Sequence, residues 1–231
     1  MSIRSHVLVL SILPLILNIL VTPTIIISAV SLPEFFENPT YYIYAYGLVL
    51  WSVYHVFLAG LALRFFKSEG QNLKEIIGPV KGRLWFTILT VALLLGLSIM
   101  LFQIIEPHVS NLVYGPDTWK QFLSEYKRIP LALVVYGILV TSLTAGICEE
   151  IVWRGYLQTR FERLFGGKIL AAVLLQAVLF GFWHSISVHT LFTAVFGFVC
   201  GLVYAKIRRL VPIMVSHWLG DVIGFSMMYF V

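Results

Sequence analysis

Long apolar stretches recur along the chain at 7–27, 41–63, 84–105, 131–157, 169–184, 189–205 and 211–231. A helix rises about 1.5 Å per residue, so roughly 20 apolar residues cross the hydrocarbon of a bilayer. The runs therefore predict an all-α fold, a polytopic transmembrane bundle of about seven spans. The fifth and sixth runs are short for full crossings. The fourth is long and contains three charges, Glu149, Glu150 and Arg154. The first run follows Arg4 and precedes Ala29-Val30-Ser31, the outline of a signal peptide. Its apolar stretch is too long for an ordinary signal, and it reads as an uncleaved span.

The segments between runs set an orientation. With the N-terminus inside, the inner segments hold Arg4, Arg64, Lys67, Lys74, Lys81, Arg83, Arg154, Arg160, Arg163, Lys168, Lys206, Arg208 and Arg209, thirteen cations. The outer segments hold three, Lys120, Lys127 and Arg128. Inner loops of membrane proteins are enriched in Lys and Arg, so the bias predicts N-in and C-out. Between the third and fourth runs, Trp119, Phe122, Leu123 and Tyr126 recur at helical spacing beside the three outer cations. They predict a short amphipathic helix anchored at the interface.

Composition narrows the class further. Hydrophobic residues make up 59% of the 231 and charged residues 12%, about half the usual soluble share, too few to coat a water-soluble domain. No composition shift marks a soluble second domain. The chain divides only into 1–130, three spans and the interfacial helix, and 131–231, where the candidate chemistry lies. The net charge of +5 reflects inner loops rather than a nucleic-acid partner. Cys148 and Cys200 lie in apolar runs with no CxxC pattern and no disulfide framework.

Of the eleven acids, eight fall in loops or near run edges; Glu149, Glu150 and Asp221 fall inside runs. A charge at the bilayer centre costs about 2.5–3.5 kcal/mol on insertion scales, so it faces a partner or a wet cavity. Three groups stand out. In Glu149-Glu150-Ile151-Val152-Trp153-Arg154, Glu150 and Arg154 are spaced as a helical ion pair. Glu149 lies roughly 100° away around the helix, with no such local partner. In Phe180-Gly181-Phe182-Trp183-His184, Phe180 and His184 share a face, although a lone histidine there is ordinarily a packed one. In His217-Trp218-Leu219-Gly220-Asp221, a His–Asp pair recurs at i, i+4, which would also serve to hold the last span. Trp183 and Trp218 read as packing residues. His55 reads as a bond within the bundle, and His189 as a helix cap or a solvent-facing residue, close enough in sequence to His184 to line a shared cavity. Gly197-x-x-x-Gly201 reads as a close-packing face.

Together these groups resemble the CPBP family of intramembrane proteases, which includes type II CAAX prenyl endopeptidases and bacterial bacteriocin-processing or immunity proteins. The shared pattern is EExxxR, FxxxH and HxxxN/D, here Glu149-Glu150 to Arg154, Phe180 to His184 and His217 to Asp221, over about residues 131–231. The resemblance implies an intramembrane endopeptidase in a prokaryotic plasma membrane, acting on a peptide or lipidated protein and extending to CAAX-type processing. It implies Glu149 as general base on a water and His184 as its positioner. Glu150 and Arg154 would brace the helix, and His217 would donate to the oxyanion. At 221 the aspartate departs from asparagine: ionised, it only accepts hydrogen bonds, so it is either protonated or orients His217. A glutamate-activated water is the favoured chemistry. The histidines and carboxylates also permit a divalent metal such as zinc, although no HExxH occurs. Cys148 has no adjacent base for a thiol mechanism. Two other readings stand beside this one: a non-catalytic immunity protein of the same fold, and a proton-coupled transporter relaying through buried acids and histidines.

Overall fold

In hydrocarbon every backbone N–H and C=O must be satisfied within the segment, which leaves a chain this apolar few options besides helices. The computed structural model describes residues 2–29, 37, 39–78 and 84–231. Val30 and Ser31 of the signal-like tripeptide, and the cations Lys81 and Arg83, lie outside the described residues. Within those residues all the regular structure is helical: α1 (Ile3–Ala29), α2 (Pro39–Ser68), α3 (Leu73–Ile77), α4 (Leu84–Tyr114), α5 (Thr118–Tyr126), α6 (Leu131–Leu164), α7 (Ile169–His184), α8 (Val188–Ile207) and α9 (Val211–Phe230). Helices α2, α4, α6, α8 and α9 are long and apolar enough to cross a membrane; Ile3–Leu17 of α1 and the shorter α7 are apolar as well. The protein is an integral, multi-pass membrane protein.

Its polarity is inverted relative to a soluble bundle. Leu8, Val53, Leu93, Leu139 and Leu191 point outward, whereas His55, Glu149, Glu150, Arg154, Gln158, Gln176 and His217 are buried. The inward polar groups are the expensive ones, and they gather around α6. That helix is irregular: π-helical stretches cover Gly137–Thr141, Ala145–Glu149 and Ile151–Gln158. Bonds from i to i+5 widen the turn and redirect side chains, and such turns recur at functional sites. Glu149 closes one widened stretch and Glu150 opens onto the next.

A similar stretch at Met100–Ile105 lets α4 run through Pro107 to Tyr114, past the end expected near 105. Proline lacks the N–H that an α-helix needs and crowds the preceding turn; the widened turn, with Glu106 N–H donating to the Leu101 carbonyl, relieves both. Glu106 is thereby carried inside the protein instead of lying at the edge.

Glycines set the helix spacing. A Cβ on Gly146 of α6 would stand 2.7 Å from Trp218 N and Cβ, so α9 rests on that backbone. Gly197 and Gly201 do form a close-packing face, but polar side chains occupy it. Gln176 Nε2 donates to the Gly197 carbonyl at 2.9 Å, and Gln158 Nε2 donates to the Gly201 carbonyl at 3.0 Å.

At one end of the bundle Glu69 ties three helices. It accepts from His6 of α1 at 2.9 Å, and from Tyr156 and Arg160 of α6 at 2.5 and 2.6 Å. Burial works against ionisation of Glu69, but bonds from Tyr156, His6 and Arg160, with the Arg160 charge, outweigh it and hold the carboxyl below its ordinary range. Arg160, together with Arg154, is therefore a buried partner rather than a loop cation. The α5 helix also differs from a simple interfacial anchor. Its aromatic face turns onto the protein, with Tyr126 fully buried and Phe122 against Tyr44, ring centroids 5.5 Å apart.

Candidate active site

The α6 helix supplies the carboxylates at mid-length. Glu150 Oε1 accepts from Arg154 Nη1 at 2.8 Å, the pair its spacing predicts, and both side chains are fully buried. The same oxygen accepts from His217 Nδ1 of α9, also at 2.8 Å. The Arg154 guanidinium lies 4.4 Å from the Phe180 ring centroid, a cation–π contact that gives the phenylalanine of the second motif a physical purpose. His184, one turn on, donates from Nδ1 to the Phe180 carbonyl at 2.8 Å.

These bonds fix which ring atoms remain. A carbonyl only accepts, so His184 Nδ1 carries hydrogen and Nε2 faces inward; Glu150 assigns His217 in the same way. Both Nε2 atoms converge on Glu149 Oε2, each at 3.9 Å. That oxygen is buried and makes no hydrogen bond among the described residues. The other oxygen, Oε1, is 3.0 Å from His55 Nε2 of α2. Asp221 Oδ2 stands 3.7 Å from His217 Nε2, too far for a hydrogen bond. Orientation of His217 through Asp221 is thus not what the structure holds: Glu150 performs it through Nδ1.

Counted along straight helices, Glu149 falls toward one half of the bundle and His184 toward the other. In the structure Glu149 Oε2 and His184 Nε2 are nonetheless 3.9 Å apart, with widened turns in α6 and an uncharged turn between α7 and α8. That turn satisfies itself: Ser187 caps α8, its N–H bonds Thr190 Oγ1 at 3.1 Å, and Thr190 Oγ1 donates to the Ser185 carbonyl. The Val188 N–H donates to Tyr114 Oη at 2.9 Å.

Exposure rises in one direction. Side chains at Glu149 and His217 are 4% and 8% exposed, His184 23%, Asp221 31% and His189 43%. On the other side Trp153, Arg154, Leu157 and Gln158 are fully buried. Exposure thus falls from His189 and Asp221 inward to Glu149 and reaches zero at these α6 side chains. At the more exposed end, His189 Nδ1 bonds Glu106 at 2.9 Å, and its ring centroid lies 5.7 Å from that of His184.

Zinc with bonds of about 2.0–2.1 Å holds tetrahedral donors about 3.3–3.4 Å apart, closer than the 3.9 Å separations here. No cluster of three or more His, Cys, Asp or Glu among the described residues fits a metal ion. Cys148 and Cys200 are both free thiols.

Two site residues escape a reading by motif. His55 sits alone in its span, and its partner belongs to another helix. Glu106 precedes a proline, a residue that ordinarily ends a helix, and the pairing with His189 reveals its place. Trp183 packs edge-on against His55, ring centroids 5.7 Å apart.

No curated protein and no solved structure gives a significant match to the chain. Residues 131–223, less than half of the chain, match the family described as type II CAAX prenyl endopeptidase Rce1-like. The matched segment holds Glu149, Glu150, Arg154, His184, His217 and Asp221, and its similarity supports a membrane peptidase-like role.

Proposed function

We propose that the protein is an intramembrane endopeptidase that hydrolyses peptide bonds with a glutamate-activated water, extending to C-terminal CAAX-type processing of lipidated proteins. One observation carries this reading. A buried carboxylate oxygen without a hydrogen bond among the described residues faces two imidazole Nε2 atoms at 3.9 Å. Two hydrogen bonds of about 2.8 Å meeting at about 90° on one water oxygen put their far ends about 4 Å apart, so a bridging water fits the arrangement.

In the proposed step the water oxygen attacks the scissile carbonyl while Glu149 Oε2 takes its proton. His184 Nε2 accepts a hydrogen bond from the water's other O–H, which stays on the oxygen, and so aims the water's lone pair at the carbon. His217, doubly protonated, donates from Nε2 to the developing oxyanion, and Glu150 and Asp221 balance its charge. When the C–N bond breaks, Glu149 returns its proton to the leaving amine. Arg154 holds Glu150 in place. In this reading the bundle has seven spans, N-in and C-out, with 1–130 as the supporting helices and 131–231 as the catalytic unit.

The test uses internally quenched peptides ending in Cys-aliphatic-aliphatic-X, with and without a farnesylated cysteine, added to purified protein in liposomes. Wild-type cleavage is expected, with Glu149→Gln and His184→Ala each lowering the rate by about 10²–10⁴-fold while remaining folded. Cleavage of only the farnesylated peptide assigns CAAX processing; equal cleavage of both assigns broader peptide processing. Full activity in either variant overturns that residue's role, and a wild-type protein that cuts neither peptide overturns CAAX-type processing.

A further inference from the structure

We infer that His55 is a positioning residue for Glu149, contributed by α2 from outside the segment that matches the peptidase family; this rests on Glu149 being the base. A carboxyl group turns easily about its terminal torsion, whose profile is broad and roughly two-fold. Nothing within α6 decides which oxygen faces the two imidazoles. His55 decides it: Nε2 stands 3.0 Å from Oε1, and Nδ1 stands 3.1 Å from Thr144 Oγ1.

Proton accounting makes the contact a bond in every arrangement. Thr144 has one hydroxyl hydrogen, and both the Thr141 carbonyl at 3.0 Å and His55 Nδ1 lie within reach of it. If the hydroxyl donates to Nδ1, the neutral ring carries its hydrogen on Nε2 and donates to Glu149. If it donates to the Thr141 carbonyl, Nδ1 carries hydrogen itself. A second proton must then lie between Nε2 and Oε1, because two lone pairs do not face each other at 3.0 Å. Either way Oε1 is occupied, and Oε2 alone is left for the water. The ring is held in turn by Trp183, packed edge-on against it, and it is buried.

This arrangement assigns the two ring nitrogens separate jobs, which substitutions can split. The Gln amide nitrogen overlays Nε2 of histidine and the Asn amide nitrogen overlays Nδ1. With the quenched peptides above, His55→Leu is expected to lower kcat at least tenfold and leave KM within about twofold. His55→Gln should recover most of that loss, and His55→Asn should not. Full kcat in His55→Leu overturns the proposal, as does rescue by Asn but not Gln, which would make His55 a mere anchor for Thr144. A second readout needs no turnover. In thermal unfolding, the shifts of His55→Leu and Glu149→Leu should be non-additive in the double variant; additive shifts overturn the contact. Glu149→Gln separates the two ideas: if it keeps full activity the base assignment falls, whereas its inactivity beside a fully active His55→Leu removes only the role of His55.

Discussion

Glu150 Oε1 and His217 Nδ1, from helices far apart in the chain, meet at 2.8 Å on the oxygen that also holds Arg154. One carboxylate thus balances a buried cation and fixes the ring orientation of the proposed oxyanion donor. Replacing Glu150 by Ala strands Arg154 at zero exposure, a loss of about 3–5 kcal/mol for a broken buried pair. The expected outcome is a sharp fall in the unfolding midpoint of the purified protein in detergent. An unchanged midpoint would contradict it.

Gly146 is the seat of α9. An alanine there meets the Trp218 backbone at 2.7 Å, which side-chain rotation cannot relieve. The helix bearing His217 and Asp221 must move, at a cost of about 1–3 kcal/mol. Gly146→Ala is expected to lose peptide cleavage more than tenfold while still folding. Gly60→Ala, with no atom within 4 Å of its new methyl, should cleave as wild type.

Gly201→Ala acts on stability instead. Its methyl would lie 2.8 Å from Gln176 Nε2 and 2.9 Å from Val173 Cγ1. Pushing Gln176 aside weakens its bond to the Gly197 carbonyl, and about 1–3 kcal/mol of destabilisation is expected. Thermal melts against Gly96→Ala, where the space is open, provide the comparison.

Acid should loosen the knot at Glu69. Its carboxyl ionises more readily in the folded protein than in the unfolded chain. The stability this contributes is complete above the unfolded value, about 4.3, and fades as pH falls through the folded one. Glu69→Gln is expected to be less stable than wild type at pH 7 and to lose less on acidification, so the two curves converge at low pH. Parallel curves would show that the ionisation of Glu69 contributes nothing.

What the chain reveals by inspection depends on whether partners are local. Glu150–Arg154 is legible because four residues on a helix bring a pair together, and Glu149, His184 and Asp221 are legible because charge inside an apolar run is costly. His55 is not, because its partner sits in another helix and a lone histidine in a span looks ordinary. Glu106 is hidden by Pro107, which marks a helix end unless the preceding turn is widened. No spacing rule forecasts π-helical turns in α6, so straight-helix arithmetic leaves the carboxylates and imidazoles at different depths. The amphipathic pattern of α5 locates the helix but not the surface its aromatic face covers.

Among the described residues, exposure rises from Glu149 through His184 to His189, so in the proposed reaction a chain would approach Glu149 from the His189 side. Trp153, Arg154 and Leu157 are fully buried behind it, so under the proposed reaction a severed fragment would retreat by the path the uncut chain used. Turnover would then be queued: the first product clears the threshold beside His184 and His189 before the next chain is admitted. A fragment retaining a greasy tail would linger there and act as its own inhibitor.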